Sequence, residues 1–413
     1  MCESRSQRCY IAVIIKQTMM KCAIVLALAI TTTLAAPSDV KNPLEQLAIG
    51  NKQLTSNLYK EILKTKNGSI IFSPFSAETV LALTSEGAKG ETRSELVSAL
   101  HLPESQETIQ QGFKELLPQL KINNKDAVLA SANKIYVANG IKLEDDFKKT
   151  AESIYASGIE QVDFSNSAKA ANIINQWVES QTNNKIKDLL KPEYINSDTV
   201  MALINALYLS AKWSTAFKNF NTVTDKFYRT ASEQIDQATM TMTEVFKHYK
   251  NEELDTQFLE IPFKTNGLVF SVALPNKKDG IAALENNIEK VFEPQPYTDV
   301  PVELKLPKFT VETDLNLKNI LQSLGVQKIF NFDADLSGLA KDVKELRVSE
   351  VIQKAFIKVA ESGVEAAAST AVFVATKSAR FFIEDPIEFF ADHPFVYFIK
   401  YNNVILFAGK YSP

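Results

Sequence analysis

Gly363-Val-Glu-Ala-Ala-Ala-Ser-Thr-Ala371, followed by Val372-Phe-Val-Ala-Thr-Lys-Ser-Ala-Arg380, is the stretch on which the fold turns. Alanine favours helix, so a poorly packed helix is one reading of it. The side chains from Val364 to Ala371 have little to bury, however, and a β-branched run follows them. With strand-like sequence on either side, residues 361–380 read as a long, exposed, extended loop. Loops of that length inside a compact domain are uncommon and usually functional.

Downstream of the loop, Phe395-Val-Tyr-Phe-Ile399 and Val404-Ile-Leu-Phe407 flank Asn402-Asn403, residues that tolerate the positive φ of a tight hairpin. Upstream, Val302-Glu-Leu-Lys-Leu306 alternates strictly, as a strand with one wet face does. Val200 to Leu209 is almost continuously apolar and predicts a strand covered on both faces. Helical spacing marks the first half: Leu47, Leu54, Leu58 and Ile62; Leu96 and Leu100; Ile173, Ile174, Trp177 and Val178. Helices early and strands late point to an α+β fold rather than alternating units. No repeat and no Pro/Ser-rich linker divides the chain, so residues 37–413 are expected to form a single domain.

The first 36 residues read differently. Met20-Lys21 is a short basic start, Cys22 to Ile30 an apolar run too short to span a bilayer, and Thr31 to Ala36 a small-residue stretch before Pro37. That is the grammar of a secretory signal, with cleavage expected after Ala35 or Ala36. Met20 is a candidate true start, with residues 1–19 an upstream extension. Removing Arg5, Arg8, Lys16, Lys21 and Glu3 with residues 1–36 moves the charge from −4 to −7, on 377 residues without a cysteine. An apolar core must then hold the fold, because disulfides cannot. The mature product is expected outside the cell and not in a membrane. Asn67-Gly68-Ser69 is the one candidate glycosylation acceptor.

The whole chain has 45 Lys and Arg against 49 Asp and Glu and is 45% hydrophobic, average values that disfavour disorder and nucleic-acid binding. Lys114, Lys121 and Lys125 are too sparse for a basic stripe. An enzyme is also disfavoured. The mature chain has His101, His248 and His393 but no thiol, no Gly-x-Ser-x-Gly elbow, no His-Glu-x-x-His and no phosphate-binding glycine loop. His393, before Pro394 in an apolar stretch, reads as structural. No metal and no cofactor is expected.

Several segments carry a resemblance: Ile71-Phe-Ser-Pro-Phe-Ser76, Gly87-Ala-Lys-Gly-Glu-Thr-Arg-Ser-Glu-Leu96, Ile174-Asn-Gln-Trp-Val178 with Asn184-Lys-Ile186, and Leu203-Ile-Asn-Ala-Leu-Tyr208 with Trp213. After them come Leu306-Pro-Lys-Phe309, Ala334-Asp-Leu-Ser-Gly338, Ala391-Asp-His-Pro-Phe395 and Phe407-Ala-Gly-Lys410. In this order, from about residue 44 to the end, the chain resembles a serpin, a serine protease inhibitor, of the insect haemolymph kind. The resemblance implies about nine helices and three β-sheets with one exposed reactive-centre loop. It also implies a monomer and a mechanism. A protease attacks the loop as substrate and forms an acyl-enzyme; the cleaved loop then enters the central sheet as a new strand and carries the protease with it.

Family spacing places the scissile bond at Lys377-Ser378, fourteen residues after Gly363. A lysine there suits the acidic pocket of trypsin-like proteases; Arg380 is the competing site. Glu361, Gly363, Val364, Ala366, Ala367 and Ala368 match the hinge, with Val364 standing for the usual Thr or Ser. Ser73, Ser76 and Asn205 match a polar cluster beneath the opening sheet. Gln353 stands there in place of a frequent His, and its amide can both donate and accept. Trp213, Lys308 and Glu361 match the point where insertion begins, with Lys308 and Glu361 expected to pair. Period two puts Val364, Ala366, Ala368, Thr370, Val372 and Val374 on one buried face, leaving Glu365 and Ser369 on a face expected to meet solvent. The runner-up is a non-inhibitory carrier, storage protein or chaperone. The Ala366-Ala367-Ala368 run disfavours it, because such relatives carry bulky or charged hinges.

Overall fold

A proline opens the first helix, Pro43–Leu63, where its missing N–H goes unneeded and its fixed φ suits the turn. Leu47, Leu54, Leu58 and Ile62 are buried along one side of that helix, as their spacing predicts. The computed structural model describes residues 42–341, 343, 345–364 and 385–413. Within them, Pro43–Pro413 forms one compact unit; the expected signal segment lies outside them. The α+β reading holds, with nine α-helices among the described residues. None of these helices is long and apolar enough to cross a membrane.

Two sheets pack around the helix Pro74–Gly87, which touches Met201–Lys212 and Ala127–Ala138 on one side and Val404–Tyr411 on the other. A helix walled in by sheets must be apolar or satisfied all round, and almost every residue of it is buried. Ser73 caps its start, Oγ accepting the Ser76 N–H at 3.1 Å.

The six-stranded sheet runs Phe309–Asn316, Glu350–Ala360, Gly363–Val364, Met201–Lys212, Ala127–Ala138, Gly158–Val162. Helix Ser167–Gln181 covers its outer face, setting Ile174 and Val178 in an apolar cluster with Ala202, Ile204, Ala206 and Ile352. The inner face belongs to the main core.

The resemblance implies three sheets, but the remaining strands form a single nine-stranded ladder among the described residues. The cause is one strand, Gln234–Asn251, 18 residues long. Its first part pairs with Thr222–Tyr228 and Thr298–Pro307, and its last with Thr256–Pro262, so it fuses what would otherwise be two sheets. The alternating Val302–Leu306 stretch lies in this ladder with Val302, Leu304 and Leu306 buried. The final hairpin turns at Asn402, whose φ is +52°.

Candidate functional site

The inner strands of the six-stranded sheet, Met201–Lys212 and Glu350–Ala360, run parallel. They pair with each other only from Ala202–Glu350 to Leu207–Ala355. Above that they part, and the chain that leaves Ala360 turns back into the opening. Gly363 pairs with Ala360 on one side and Lys212 on the other; Val364 pairs with Val359 and Ala211. Between the seated pair and the closed ladder, Tyr208 to Ser210 and Phe356 to Lys358 form no ladder with each other among the described residues. Val364 is 1% exposed and belongs to the main core.

The turn feeding this seat is held from several directions. Trp213 is fully buried, stacked on Phe263 at 4.6 Å; its indole N–H donates to the Ala360 carbonyl (2.9 Å) and its main-chain N–H to that of Ser362 (3.1 Å). Lys308 and Glu361 pair at 3.0 Å. The Thr222 hydroxyl donates to the same carboxylate at 3.0 Å, and the Phe217 N–H to the Glu361 carbonyl at 2.9 Å. Burial pushes the Glu361 carboxyl up, but its own backbone N–H, the Lys308 ammonium and the Thr222 hydroxyl outweigh that and hold it below the usual range. Gly363 has φ +151°, and a Cβ on it would lie 2.0 Å from the Ala211 carbonyl oxygen. Only glycine fits there.

The closed stretch is clamped from beneath. Gln353 Nε2 donates to the Ser73 carbonyl (2.8 Å) and to Asn205 Oδ1 (2.7 Å), while its Oε1 accepts the Ser73 N–H at 3.0 Å. Asn205 Nδ2 donates to the Ile352 carbonyl (3.1 Å), Ser73 Oγ to that of Leu406 (2.7 Å), and Ser76 Oγ to Asn133 Oδ1 (2.8 Å). Ser73, Ser76 and Asn205 are fully buried and Gln353 is 1% exposed, so each of these bonds excludes water. Gln353 and Asn205 are also register partners. Their side-chain bond therefore spans the very pair that would separate if a strand entered.

The structure thus brings Ser73, Ser76, Asn205 and Gln353 into one cluster and Trp213, Lys308, Glu361 and Gly363 into another. Ala366, Ala367, Ala368, Lys377, Ser378 and Arg380 lie outside the described residues. Asn67 is exposed in the turn after the first helix. His393 is buried, with Nε2 2.6 Å from the Pro275 carbonyl and Nδ1 2.7 Å from Asp392, a structural tie. His248 bonds Gln257 and His101 bonds Asn57. Sequence reading missed Asn133, Thr222 and Phe217. Asn133 left a faint signal as a polar residue inside an apolar strand; Thr222 acts through a hydroxyl whose partner lies 139 residues away, and Phe217 through its main-chain N–H, and neither leaves one.

The arrangement offers no nucleophile beside a base. What it can do is admit a strand, which defines a class of protein that rearranges by adding its own chain to a sheet. A family model described as serpin (serine protease inhibitor) matches residues 49–413, and the chain belongs to that family. It is a protease inhibitor by family and not an enzyme. Antitrypsin of Bombyx mori is 37% identical over 346 residues, 83% of this chain and 88% of the relative. Antichymotrypsin-2 of Bombyx mori is 38% identical over 337 residues, 80% and 89%. The crystal structure of Serpin48, a highly specific serpin of the insect Tenebrio molitor, matches with TM-score 0.83 at 39% identity, over 89% of this chain and 98% of that one. Two relatives of nearly equal identity are named for different proteases, so similarity alone does not choose a target.

Proposed function

We propose that the protein is a secreted suicide inhibitor of trypsin-like serine proteases, cleaved at Lys377-Ser378, that traps the acyl-enzyme by inserting residues 363–374 between its inner strands. The observation that carries this is the seated hinge: Gly363 and Val364 already make both ladders of a new strand. Each further residue of the loop moves one step down both neighbours. Ala366 then meets Ile357 and Leu209, Ala368 meets Ala355 and Leu207, and Thr370 arrives between Gln353 and Asn205. All four apolar neighbours are buried, which suits the small, uncharged side chains of that face.

The other face needs a revision. Glu365 would sit beside Lys358, which is exposed, and so meets solvent as expected. Ser369 would instead lie between Lys354 and Ala206, 8% and 0% exposed, and Ala371 between Ile352 and Ile204, beneath helix Ser167–Gln181. Both faces therefore need small residues over most of the length, and Ala367, Ser369 and Ala371 supply them.

Register also favours Lys377 over Arg380. Met201, where its strand starts, is met by Val374, so Lys377 lies three residues beyond and Arg380 six. At about 3.3 Å per residue those are tethers of about 10 and 20 Å. The shorter one keeps an acylated protease against the end of the sheet; the longer one leaves slack. The lysine side chain fits a specificity pocket with an acidic floor. The signal-like residues 1–36 support export, and the exposed Asn67 supports a glycan there.

Incubation with a panel of trypsin-like proteases should give a complex that survives a denaturing gel. The released C-terminal peptide should begin at Ser378. A peptide starting at Phe381 would move the bond to Arg380, and clean cleavage with no complex would favour a carrier.

A further inference from the structure

We infer that the exposed surface formed by Phe332, Arg347 and the Asp198 turn is the seat on which the trapped protease comes to rest, and that its arginine–aromatic pair prolongs the life of the complex. This deepens the proposed trapping mechanism and rests on it.

Continuing the register of the seated hinge, Lys377 arrives opposite Asp198 on one side and Leu346 on the other. The carbonyl carbon that would carry the acyl bond is therefore delivered to this end of the gap. That end is already tied together. The Ser349 N–H donates to the Met201 carbonyl at 2.7 Å, the Val200 N–H to Ser349 Oγ at 3.0 Å, and Arg347 Nη2 to the Asp198 carbonyl at 3.3 Å. Arg347 Nη1 donates to the Glu345 carbonyl at 3.3 Å, and the guanidinium carbon lies 4.3 Å over the Phe332 ring.

Phe332 is 66% exposed. A single exposed phenylalanine is ordinary by itself. Its placement is what singles it out, because Arg347 joins it to the turn where the acyl residue would emerge. With a tether of about 10 Å, a protease has little freedom to swing away from that patch. The chemistry also suits a protein partner. Arginine and aromatic residues are enriched at the cores of protein interfaces. Among the described residues two of the five guanidinium N–H groups bond the Glu345 and Asp198 carbonyls, and a guanidinium has further donors for carbonyls or carboxylates on the incoming protein.

The absence of cysteine from residues 37–413 makes a direct test available. In Phe332→Cys carrying an environment-sensitive fluorophore, trapping of active trypsin should change the emission. Loop cleavage by a non-target protease should not. Phe332→Ser should form the covalent complex with trypsin at the wild-type rate and stoichiometry, and the purified complexes of Phe332→Ser and of Arg347→Ala should both release active trypsin at least five-fold faster. Phe332→Ser should keep the wild-type unfolding midpoint, which separates a surface effect from misfolding. If wild type traps trypsin while the variants' complexes decay at the wild-type rate and the fluorophore stays silent, the seat is wrong and the trapping mechanism stands. If wild type traps no protease of the trypsin-like panel, the trapping mechanism falls and this inference with it.

Discussion

The upper and lower halves of the gap between Met201–Lys212 and Glu350–Ala360 are built from the same two strands and behave as opposites. Above, the strands are held apart by Gly363 and Val364, which satisfy both of them. Below, they are closed on each other and cross-tied by Gln353 and Asn205 over a capped helix. The difference says where resistance to insertion lies. Residues 365–367 would enter opposite strand segments that lie beyond the ladder joining the two strands, so no pair between those strands has to open. From Ala368 onward every step must open an existing pair, and Thr370 must part the buried amides. Under the proposed mechanism the upper half would decide whether insertion starts and the lower half how fast it finishes.

The severest test of that contrast is to fill the whole gap. Cleavage within Val372–Thr376 by a non-target protease should let the loop enter without cargo. Net ladder bonds at about 1 kcal/mol each suggest a gain on the order of 10 kcal/mol. The unfolding temperature should then rise by more than about 10 °C in a scan of intact against clipped protein. An unchanged midpoint would mean the two halves never exchange.

Next in size is Val364→Arg, which forces a guanidinium into a 1%-exposed apolar seat at a cost of several kcal/mol. Part of that cost, loaded onto the insertion barrier at tenfold per 1.4 kcal/mol, should turn the inhibitor into a substrate that is cut after Lys377 and releases active protease. Val364→Thr keeps the shape and should still trap. Undiminished stoichiometry for the arginine variant would refute the buried seat.

The core behind the sheet also carries a buried acid. Glu78, on the helix that Ser73 caps, is 2% exposed; Asn51 Nδ2 donates to its Oε2 at 2.8 Å and its Oε1 has no partner among the described residues. Burial pushes its carboxyl up to about 8 against the opposing Asn51 bond. Because the folded value is raised, the unfolded chain gives up this proton first. Stability is therefore fully present below about pH 4.5 and falls until about pH 8, by on the order of 5 kcal/mol at 1.4 kcal/mol per unit. Glu78→Gln should flatten that slope in denaturant titrations across the range. Glu361 works the other way. Its lowered value contributes above the ordinary carboxylate range and is lost on acidification, so acid should loosen the upper half first.

A last variant is Gln353→Met, which removes three buried bonds and strands their partners, at about 1–3 kcal/mol for each group left unsatisfied. It should lower the denaturant midpoint and speed insertion together. A slower insertion would mean that the amide guides the strand rather than holding the gap shut.

Much of this was legible in the chain itself. Periodicity marked the first helix and the doubly covered strand at Val200–Leu209, because burial on one or two faces dictates residue type directly. Motif order carried Ser73, Asn205, Gln353, Trp213 and the Lys308–Glu361 pair. The fusion of strands through Gln234–Asn251 was not legible, since pairing along 18 residues is a tertiary outcome that no local pattern encodes. Nor was the helix lying over the path of Ser369 and Ala371: alternation reveals two faces of a strand but not what covers each. Glu78 gave no sign of burial, for an acid within a helical run normally reads as a wet position.

One consequence of the seated hinge concerns entropy rather than contacts. Starting a strand from a free loop means closing a ring of chain and fixing the first dihedrals before any bond repays them. With Gly363 and Val364 already in register, that nucleation has taken place during folding, and under the proposed mechanism only propagation would remain once the loop is cut. The start of insertion should then be indifferent to how many residues separate Val374 from the scissile bond. Loop length would govern only how much slack the captured enzyme is left with at the end.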